Sequence, residues 1–452
     1  MFAIKIFVTA STDVVIYAYA MGRTSRKRRQ KKMLNFVKSN ENTDESLIRL
    51  KSWLLSENSA SIRYLMPEHF PLSGRGLKTL KRIENDEVLI RLPLRLLITT
   101  DVLSQSDIKI LFLHNTVSFS PQCMLATFLV YETHLGIESK WYLYLRTLPQ
   151  SFTNPDFCSN KEKAMLPDFI SHPLHQAHKL HDDFSLLTKV IKRLDVNRSH
   201  CPHCNMHLRK IITFAKYKWA YYVVNTRAVY IDAKVCKEDV FNVKQPNNLA
   251  LAPFLDLFNH NVNTAVKVSI VTDDHQNQFY QIVTLKPFDE ETQVFINYGA
   301  HDSLKLYIDY GFFIPCNPLD EIQFDISDVQ TCFDISRNKL DFITFNDFHK
   351  RMSFTRDGLN YNATMALFIS STKLEKARWK LKIYGETFDT DERHIINKLG
   401  ISVLNLKRTE YACALSNMRN VKLKSTSFSI AINLVEEYIN ILDAAFNYME
   451  KI

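Results

Sequence analysis

Glycine is scarce in this chain, and four of its glycines lie in short segments that are rich in other unusual residues. The sequence has nine glycines in 452 residues, well below the average share of about 7%. Four of the nine are Gly74, Gly76, Gly299 and Gly311. Glycine permits backbone angles and a close approach of ligands that a Cβ prevents. These segments are therefore candidates for a site that needs bare backbone. A dinucleotide site is excluded, because Gly74-Arg75-Gly76 lacks the third glycine of Gly-x-Gly-x-x-Gly and follows no clear strand.

Two parts of the sequence carry the patterns of β-strands. Short apolar runs at 88–92 and 96–99, separated by Pro93, predict two strands early in the chain. Alternating apolar residues after position 248 predict a hairpin over 266–285 with a polar connection. A further short strand is predicted over 293–296.

The remaining pattern is mainly helical. Helices are predicted over 44–56, over 123–135, where Gly136 is placed as the C-terminal stop, and over 210–227. An amphipathic stripe between Leu434 and Met449 predicts a helix close to the end of the sequence. Strands interrupted by helices, and then followed by helices, favour an α+β fold.

The positive charge is concentrated near the N-terminus. The formal net charge is +9, and residues 1–32 hold eight basic residues and one acid, so the rest of the chain is nearly neutral. The run Arg23–Lys32 is a candidate for nuclear localisation or weak nucleic-acid contact, and a solvated tail without a receptor is the alternative.

Residues 1–20 and the cysteines bear on where the protein acts. Polar residues interrupt the apolar stretch 1–20, and a basic run follows it, so we expect an extension upstream of a start at Met21. No later segment has about 18 uninterrupted apolar residues, and no membrane span is expected. The eight cysteines are scattered, which fits reduced thiols in the nucleus and cytoplasm.

Five short motifs follow one another in a fixed order. They are Gly74-Arg75-Gly76-Leu77, Asn225-Thr226-Arg227, Asp256-Leu257-Phe258-Asn259-His260, Asn297-Tyr298-Gly299 and Tyr310-Gly311-Phe312-Phe313. This order resembles the SET-domain methyltransferases of the Rubisco-lysine-methyltransferase-like class. Each motif is weak alone, and the specificity lies in Asn-His followed about 40 residues later by Tyr-Gly.

The resemblance implies a domain organisation and an activity. It implies an α+β protein with a basic disordered extension over 1–43, a SET domain over 44–317 with a helical insert at about 102–225, and an all-α substrate-binding domain over 318–452. The implied activity is transfer of a methyl group from S-adenosylmethionine (SAM) to a lysine of another protein, with a histone tail as the first candidate. A monomer is expected.

The resemblance also implies roles on the cofactor side. The backbone at Gly74-Arg75-Gly76 lies against SAM, and Arg227 binds its carboxylate through two parallel hydrogen bonds. Asn259 contacts the amino group of SAM, the backbone of His260 recognises its adenine, and Asp256 borders the site.

On the substrate side, Tyr298 is implied as the catalytic residue and also contacts SAM. Ile231, Leu255, Tyr298 and Tyr310 are implied to contact the substrate. Tyr310 and Phe312 line the channel or cover the adenine, so Phe312 is included among the cofactor contacts. Tyrosine hydroxyls can orient a neutral lysine amine in a channel that excludes water.

Two alternative functions stay open at this point. In the family member that methylates a histidine of actin, an Asn lies two residues after the Arg and a Trp directly precedes the Asp. Val229 and Leu255 occupy those places here, which favours lysine over histidine. A catalytically silent adaptor of the same fold is the other alternative.

Cys201-Pro202-His203-Cys204, with His200 and His207 beside it, has the spacing of half a zinc site. A second pair is missing from the sequence pattern, and Cys236 is isolated. A reduced loop without metal is therefore the expectation.

Overall fold

The computed structural model describes residues 45–451 apart from 114–116, 172–174, 233–240, 374–375, 384, 386 and 423. The basic run Arg23–Lys32, the segment 1–43 and Cys236 lie outside the described residues. The first described element is helix α1 over 45–56, close to the predicted bounds.

The region from residue 65 to residue 296 has strands at both ends and helices between them. The strands are β1 (Leu65–Phe70), β2 (Gly74–Thr79), β3 (Val88–Pro93), β4 (Ala228–Tyr230), β5 (Leu249–Leu251), β6 (Asn259–His260), β7 (Val266–Thr272), β8 (Gln278–Thr284) and β9 (Gln293–Ile296). The helices between β3 and β4 are α2 (Pro121–Leu135), α3 (Tyr142–Leu145), α4 (Asn160–Lys163), α5 (Asp168–Ser171), α6 (His175–Arg193), α7 (Leu208–Ile211) and α8 (Phe214–Arg227).

The region after residue 302 is mainly helical. After α9 (Ser303–Tyr310) the helices are α10 (Ile326–Cys332), α11 (Arg337–Phe345), α12 (Tyr361–Ser371), α13 (Lys376–Ile383), α14 (Thr390–Arg419) and α15 (Thr426–Glu450). A small antiparallel sheet of β10 (Ile322–Phe324), β11 (Met352–Thr355) and β12 (Gly358–Leu359) lies among them. The prediction of an all-α domain over 318–452 is therefore corrected, because the region includes this sheet. Its strands have two to four residues, too few to show the two-residue alternation by which a strand is recognised in a sequence.

Two short sheets bring distant segments of the chain together. In one sheet the order is β1-β2-β9-β6, and β6 pairs with β9 in parallel, Asn259 opposite Phe295 and His260 opposite Ile296. In another sheet the order is β3-β8-β7, with β7 and β8 forming the predicted hairpin. The motif segments around residues 259 and 298 are thereby neighbours although 40 residues separate them.

Two sequence predictions need correction. The run 96–99 is not a strand, because Leu94–Leu96 and Thr100–Gln105 form 3₁₀ turns and only Ile98 makes a bridge, to Leu251. The helix predicted over 210–227 is two helices, α7 and α8, and Thr213 between them caps α8 by accepting from the backbone N–H of Lys216.

Local rules explain the long central helix α2. Ser120 caps it by accepting from the backbone N–H of Cys123, and Pro121 occupies the first helical position, where a missing N–H costs nothing. Gly136 follows the last residue with φ of +60°, a conformation that glycine adopts easily. The helix is buried around most of its circumference and packs on α8, so its sequence is mainly apolar.

A buried contact joins the region before residue 318 to the C-terminal helices. The Ser427 hydroxyl donates to the backbone carbonyl of Asn154 at 2.7 Å, and the Tyr307 hydroxyl donates to the backbone carbonyl of Ser427 at 2.9 Å. Cys158 and Ile170 belong to the same apolar cluster as the C-terminal helices. The apolar core of the C-terminal helices is therefore built from both regions. Among the described residues, no helix has the length and apolar character to cross a membrane.

We expect Leu442→Ala in α15 to lower the free energy of unfolding by about 2–5 kcal/mol, because Leu442 is fully buried and truncation leaves a cavity. Leu381→Ala, on the half-exposed face of α13, should cost about 1 kcal/mol or less. Equilibrium denaturation measures both. Equal losses for the two variants would contradict the packing described for α15.

Candidate active site

A cavity of about 270 Å³ lies where α8 and β4, the hairpin β7–β8, and the segment after β9 meet. Its apolar walls are Val229, Leu255, Phe258, Val266, Val268, Ile282 and Ile296. Tyrosines add the polar atoms of the lining, namely Tyr230, Tyr280, Tyr298 and Tyr310. Arg227 and Asp256 lie at the same cavity. A narrow space with apolar walls and a few hydroxyls suits an alkyl chain that ends in a polar group.

The charged groups of the cavity form a buried ion pair. Arg227 Nη1 lies 2.9 Å from Asp256 Oδ2, and the two side chains are 16% and 2% exposed. The Tyr144 hydroxyl also donates to Asp256 Oδ2, at 2.9 Å. Burial has the largest single effect and lowers the pKa of Arg227, but the charge of Asp256, its hydrogen bond and the nearby tyrosines Tyr144 and Tyr298 together outweigh it and leave that pKa above its ordinary value. The guanidinium therefore stays charged, and its Nη1 is used by Asp256.

Tyr298 is fixed by both its backbone and its hydroxyl. Its N–H donates to His260 Nδ1 at 3.0 Å, and its hydroxyl donates to the backbone carbonyl of Phe258 at 2.5 Å. Its ring stacks on the His260 ring, with centroids 5.1 Å apart. Burial raises the pKa of Tyr298 well above its ordinary value, so the hydroxyl stays protonated and cannot serve as a base near neutral pH.

A second face of the site is made by β2 and β6. The Asn259 amide donates to the backbone carbonyl of Arg75 at 3.2 Å. At Gly76 an added Cβ would lie 2.7 Å from Asn259 Nδ2 and 2.6 Å from Gln293 Nε2. A side chain at position 76 would therefore push the ends of Asn259 and Gln293 out of place. His260 Nε2 is buried and has no hydrogen-bond partner among the described residues. Burial, and then His301, lower the pKa of His260 to about 4, so its ring is neutral.

Tyr310 is positioned by the end of α9. Gly311 caps the helix with φ of +82°, and an added Cβ would lie 2.9 Å from the backbone nitrogen of Asn154. The Asn154 amide donates to the carbonyl of Ile308 at 2.8 Å. The Tyr310 ring lies 5.1 Å from that of Tyr298, and burial raises the pKa of Tyr310 to about 12. Glycine is needed here because both the angle and the close contact exclude a side chain.

The structure brings most of the proposed site residues together, on two connected faces. Leu255, Tyr298 and Tyr310 line the cavity with Arg227 and Asp256. Gly74, Arg75, Gly76, Asn259 and His260 belong to the sheet beside it. Phe312 does not line the cavity, and its ring lies 6.2 Å from that of Tyr310.

Ile231 is the residue that the structure separates from the others. It lines a different cavity, shared with Leu94 and Asp101. The individual roles in binding and catalysis stay predictions.

Sequence reasoning missed Tyr144 and the hairpin residues of the lining. Tyr144 lies 112 positions before the carboxylate that it contacts, and its surroundings in the sequence are an ordinary aromatic helix. Val266 and Ile282 follow plain strand alternation, which predicts a pleat but does not say what either face covers. These residues can be assigned to the site only once the fold is known.

Residues 74–299, half of the chain, match the SET domain family. The chain belongs to the SET-domain family. SET domain-containing protein 4 of Artemia parthenogenetica is 29% identical over 406 residues, covering 88% of this chain and 96% of that protein. Actin-histidine N-methyltransferase of Mus musculus is 26% identical over 282 residues, covering 61% of this chain and 44% of that protein.

A solved structure shows the same fold. The crystal structure of the SET domain of LSMT bound to lysine and AdoHcy superposes with a TM-score of 0.58 at 18% identity, covering 90% of this chain and 91% of that one. The predicted SET membership and mixed α+β fold are confirmed, and SAM is confirmed as the cofactor at the level of the family. The coarse activity is SAM-dependent methyl transfer, and relatives with different methyl acceptors leave the acceptor open.

We expect Asp256→Asn to destabilise the protein by about 3–5 kcal/mol, because it leaves the buried Arg227 charge without its partner. The matched control is Asp443→Asn, whose partner Arg408 lies on the surface with both side chains about half exposed; that change should cost about 1 kcal/mol or less. Thermal unfolding of the two variants beside the wild type measures the difference. A loss at Asp256 as small as that at Asp443 would contradict a buried pair.

Proposed function

We propose that this protein is a SAM-dependent protein-lysine N-methyltransferase. The observation that carries the proposal is the segment Phe258–His260, which takes part in both faces of the site. The Asn259 side chain contacts the β2 segment at Arg75, while the neighbouring Phe258 carbonyl holds the Tyr298 hydroxyl at the cavity. A methyl donor on the first face and an amine in the cavity would be only a few atoms apart, as an in-line displacement requires.

The residues of the first face fit SAM. Gly76 has no side chain, which lets the side-chain ends of Asn259 and Gln293 lie directly against the β2 segment. Asn259 offers amide and backbone groups, and the buried, unpartnered Nε2 of His260 lies in the same strand. We assign the binding of SAM to the segment 74–76, Asn259 and His260. The donor supplies a methyl carbon already activated by a sulfonium, so no metal or covalent intermediate is required.

The cavity favours a neutral amine over an ammonium ion. Its walls are largely apolar, and burial disfavours the charged form of a lysine. Arg227 holds a positive charge at the same cavity and repels a second one, although Asp256 offsets much of that field. The lysine therefore loses its proton to solvent before it enters, and the neutral nitrogen has the lone pair that attacks the methyl carbon.

Tyr298 positions the amine and does not take its proton. Its own proton is engaged by the Phe258 carbonyl, which leaves the lone pairs of the hydroxyl oxygen available to the entering nitrogen or to the polarised methyl group. Its raised pKa keeps this arrangement intact across the physiological range. The contribution is one of orientation and electrostatic stabilisation.

The side chains at two wall positions favour lysine over histidine. Val229 and Leu255 both line the cavity, and neither can form a hydrogen bond with a ring nitrogen. An imidazole would have to be oriented by such a bond before one nitrogen could attack. An alkyl chain needs only the apolar contact that these residues provide.

We propose a histone lysine as the target, by resemblance to the class, and the nucleus and cytoplasm as the location. The scattered cysteines and the basic run Arg23–Lys32 support this location. Contact of that run with nucleic acid and a monomeric state stay predictions.

We expect Tyr298→Phe to lower the rate of methyl transfer by at least about a hundredfold while SAM binding changes little, because the lost hydroxyl serves the transition state. The assay uses labelled SAM with histones and with cell extract, and calorimetry measures SAM binding. Tyr361→Phe, at a surface tyrosine, is the control and should behave as the wild type. Normal turnover by the Tyr298 variant would remove this residue from catalysis.

Gly76→Ala, in contrast to Tyr298→Phe, should weaken the binding of SAM. Its Cβ would displace Asn259 and Gln293, and we expect SAM affinity to fall by about tenfold or more, equivalent to about 1.4 kcal/mol. Gly136→Ala, after the end of α2, is the control: its φ of +60° makes an added Cβ cost stability, but the Cβ meets no atom within 4 Å and lies outside the site, so SAM affinity should not change. Calorimetric titration with SAM separates the two. Unchanged affinity in folded Gly76→Ala would place the donor elsewhere, and a wild-type protein that binds no SAM would favour a silent adaptor.

The acceptor is identified by fragmenting the labelled product in a mass spectrometer. The proposal predicts a methylated lysine on the target and none in reactions with Tyr298→Phe. A methylated histidine that depends on Tyr298 would establish the methyltransferase site but refute lysine as its acceptor.

A further inference from the structure

The loop that follows α6 folds around the sulfur of Cys201. The backbone N–H of Cys201 donates to the carbonyl of Met206 at 2.9 Å, and the N–H of Asn205 donates back to the carbonyl of Cys201 at 2.8 Å. Asn205 has φ of +56°, which closes the turn. This closed Cys-x-x-Cys turn brings the sulfurs of Cys201 and Cys204 close together, as a metal-binding turn does.

The last turn of α2 brings a histidine to this loop from 70 residues away. His134 Nε2 lies 3.1 Å from Cys204 Sγ. The three donor atoms of His134, Cys201 and Cys204 all lie within 4.8 Å of one another. The sequence motif alone pointed to His200 and His207 as neighbours, but those two rings pack edge to face against each other instead, with centroids 4.9 Å apart.

The spacing fits one small cation. In a tetrahedral zinc site with Zn–S of about 2.3 Å and Zn–N of about 2.0–2.1 Å, ligand atoms lie roughly 3.6–3.8 Å apart. The separations between the three atoms here, 4.8 Å at most, need to change by no more than about 1 Å to reach those values. Two sulfurs and one imidazole nitrogen select a borderline-soft ion and not Mg²⁺ or Ca²⁺, which bind oxygen.

We propose that His134, Cys201 and Cys204 form a structural zinc site. This reverses the metal-free loop expected from the sequence, because the structure supplies the third ligand that the motif lacked. Water, or a side chain of the adjacent pair formed by Asp107 and His203, completes the coordination. The site is separate from the cavity lined by Arg227 and Tyr298, so its role is to hold the insert together and not to take part in methyl transfer.

Polar neighbours support the ligands as an outer layer. The Tyr131 hydroxyl lies 3.4 Å from Cys201 Sγ and donates to Asp107 Oδ2 at 2.9 Å. His203 Nε2 lies 3.1 Å from the same carboxylate oxygen, and its Nδ1 lies 3.1 Å from Glu138. Such groups orient ligands and tune the charge around a metal. The bound ion would cross-link α2 to the loop that leads into α7 and α8, and α8 ends at Arg227.

The test is the metal content of the full-length protein. Wild type is loaded with Zn²⁺ under reducing conditions, freed of excess metal, and measured by mass spectrometry for metals; we expect about one zinc per chain. Cys204→Ser and His134→Gln should each lose most of it. Cys413→Ser and His200→Gln are the controls, because the Cys413 thiol is a surface thiol elsewhere and His200 lies in the same loop outside the cluster. Both controls should retain the zinc.

A second measurement needs no variant and therefore does not depend on whether the variants fold. Co²⁺ added to the wild type should produce thiolate-to-cobalt charge-transfer absorption of a tetrahedral site, which Zn²⁺ then abolishes. Added Zn²⁺ should also raise the melting temperature of the wild type and of both controls. Wild type without zinc or cobalt binding, or zinc retained in full by both ligand variants, would overturn the proposal. A Cys201–Cys204 disulfide that persists in reductant would overturn it as well.

Discussion

The site depends on the contact between two segments that lie 40 residues apart. Tyr298 donates its backbone N–H to His260 and its hydroxyl to the carbonyl of Phe258, and β6 and β9 run in parallel beside them. Because three consecutive residues, Phe258 to His260, face both the sheet with Gly76 and the cavity, the position of one face fixes the position of the other. Neither segment could hold this geometry alone, since β6 has only two residues.

Buried charge gives the cavity its chemical character. The ion pair of Arg227 and Asp256 is held in place by the Tyr144 hydroxyl, and a charge pair inside a protein is stable only when such hydrogen bonds satisfy it. Because the two charges are paired with each other and the walls are apolar, the cavity stabilises a protonated amine only weakly. The insert therefore contributes to the site through Tyr144 and through the end of α8, in addition to its own core.

Local chemistry explains which parts of the fold were predictable from sequence. Gly136 ends α2, the alternation over 266–285 becomes β7 and β8, and β9 has the expected bounds, because each follows rules that act over a few residues. Long-range contacts explain the errors. The run 96–99 has strand-like residues but only one bridge, at Ile98. His134 and Tyr144 reach their partners from distant positions, and no local pattern marks them.

The order of the motifs indicated more about the site than the periodicity of apolar residues did. Gly76, Asn259 and Tyr298 are individually ordinary, and their order pointed to a common site that the fold then brings together. Ile231, chosen by the same resemblance, lies at another cavity, so order along the chain does not assign every neighbour.

Donor and amine are proposed to meet across Phe258–His260. The direct measurement is a crystal structure of this protein with S-adenosylhomocysteine and a lysine peptide. We expect the donor to lie against Gly76 and Asn259, with its sulfur directed at the cavity and the lysine nitrogen beside the Tyr298 hydroxyl. A donor bound away from the 74–76 segment, or a lysine outside the cavity of Arg227 and Tyr298, would contradict it.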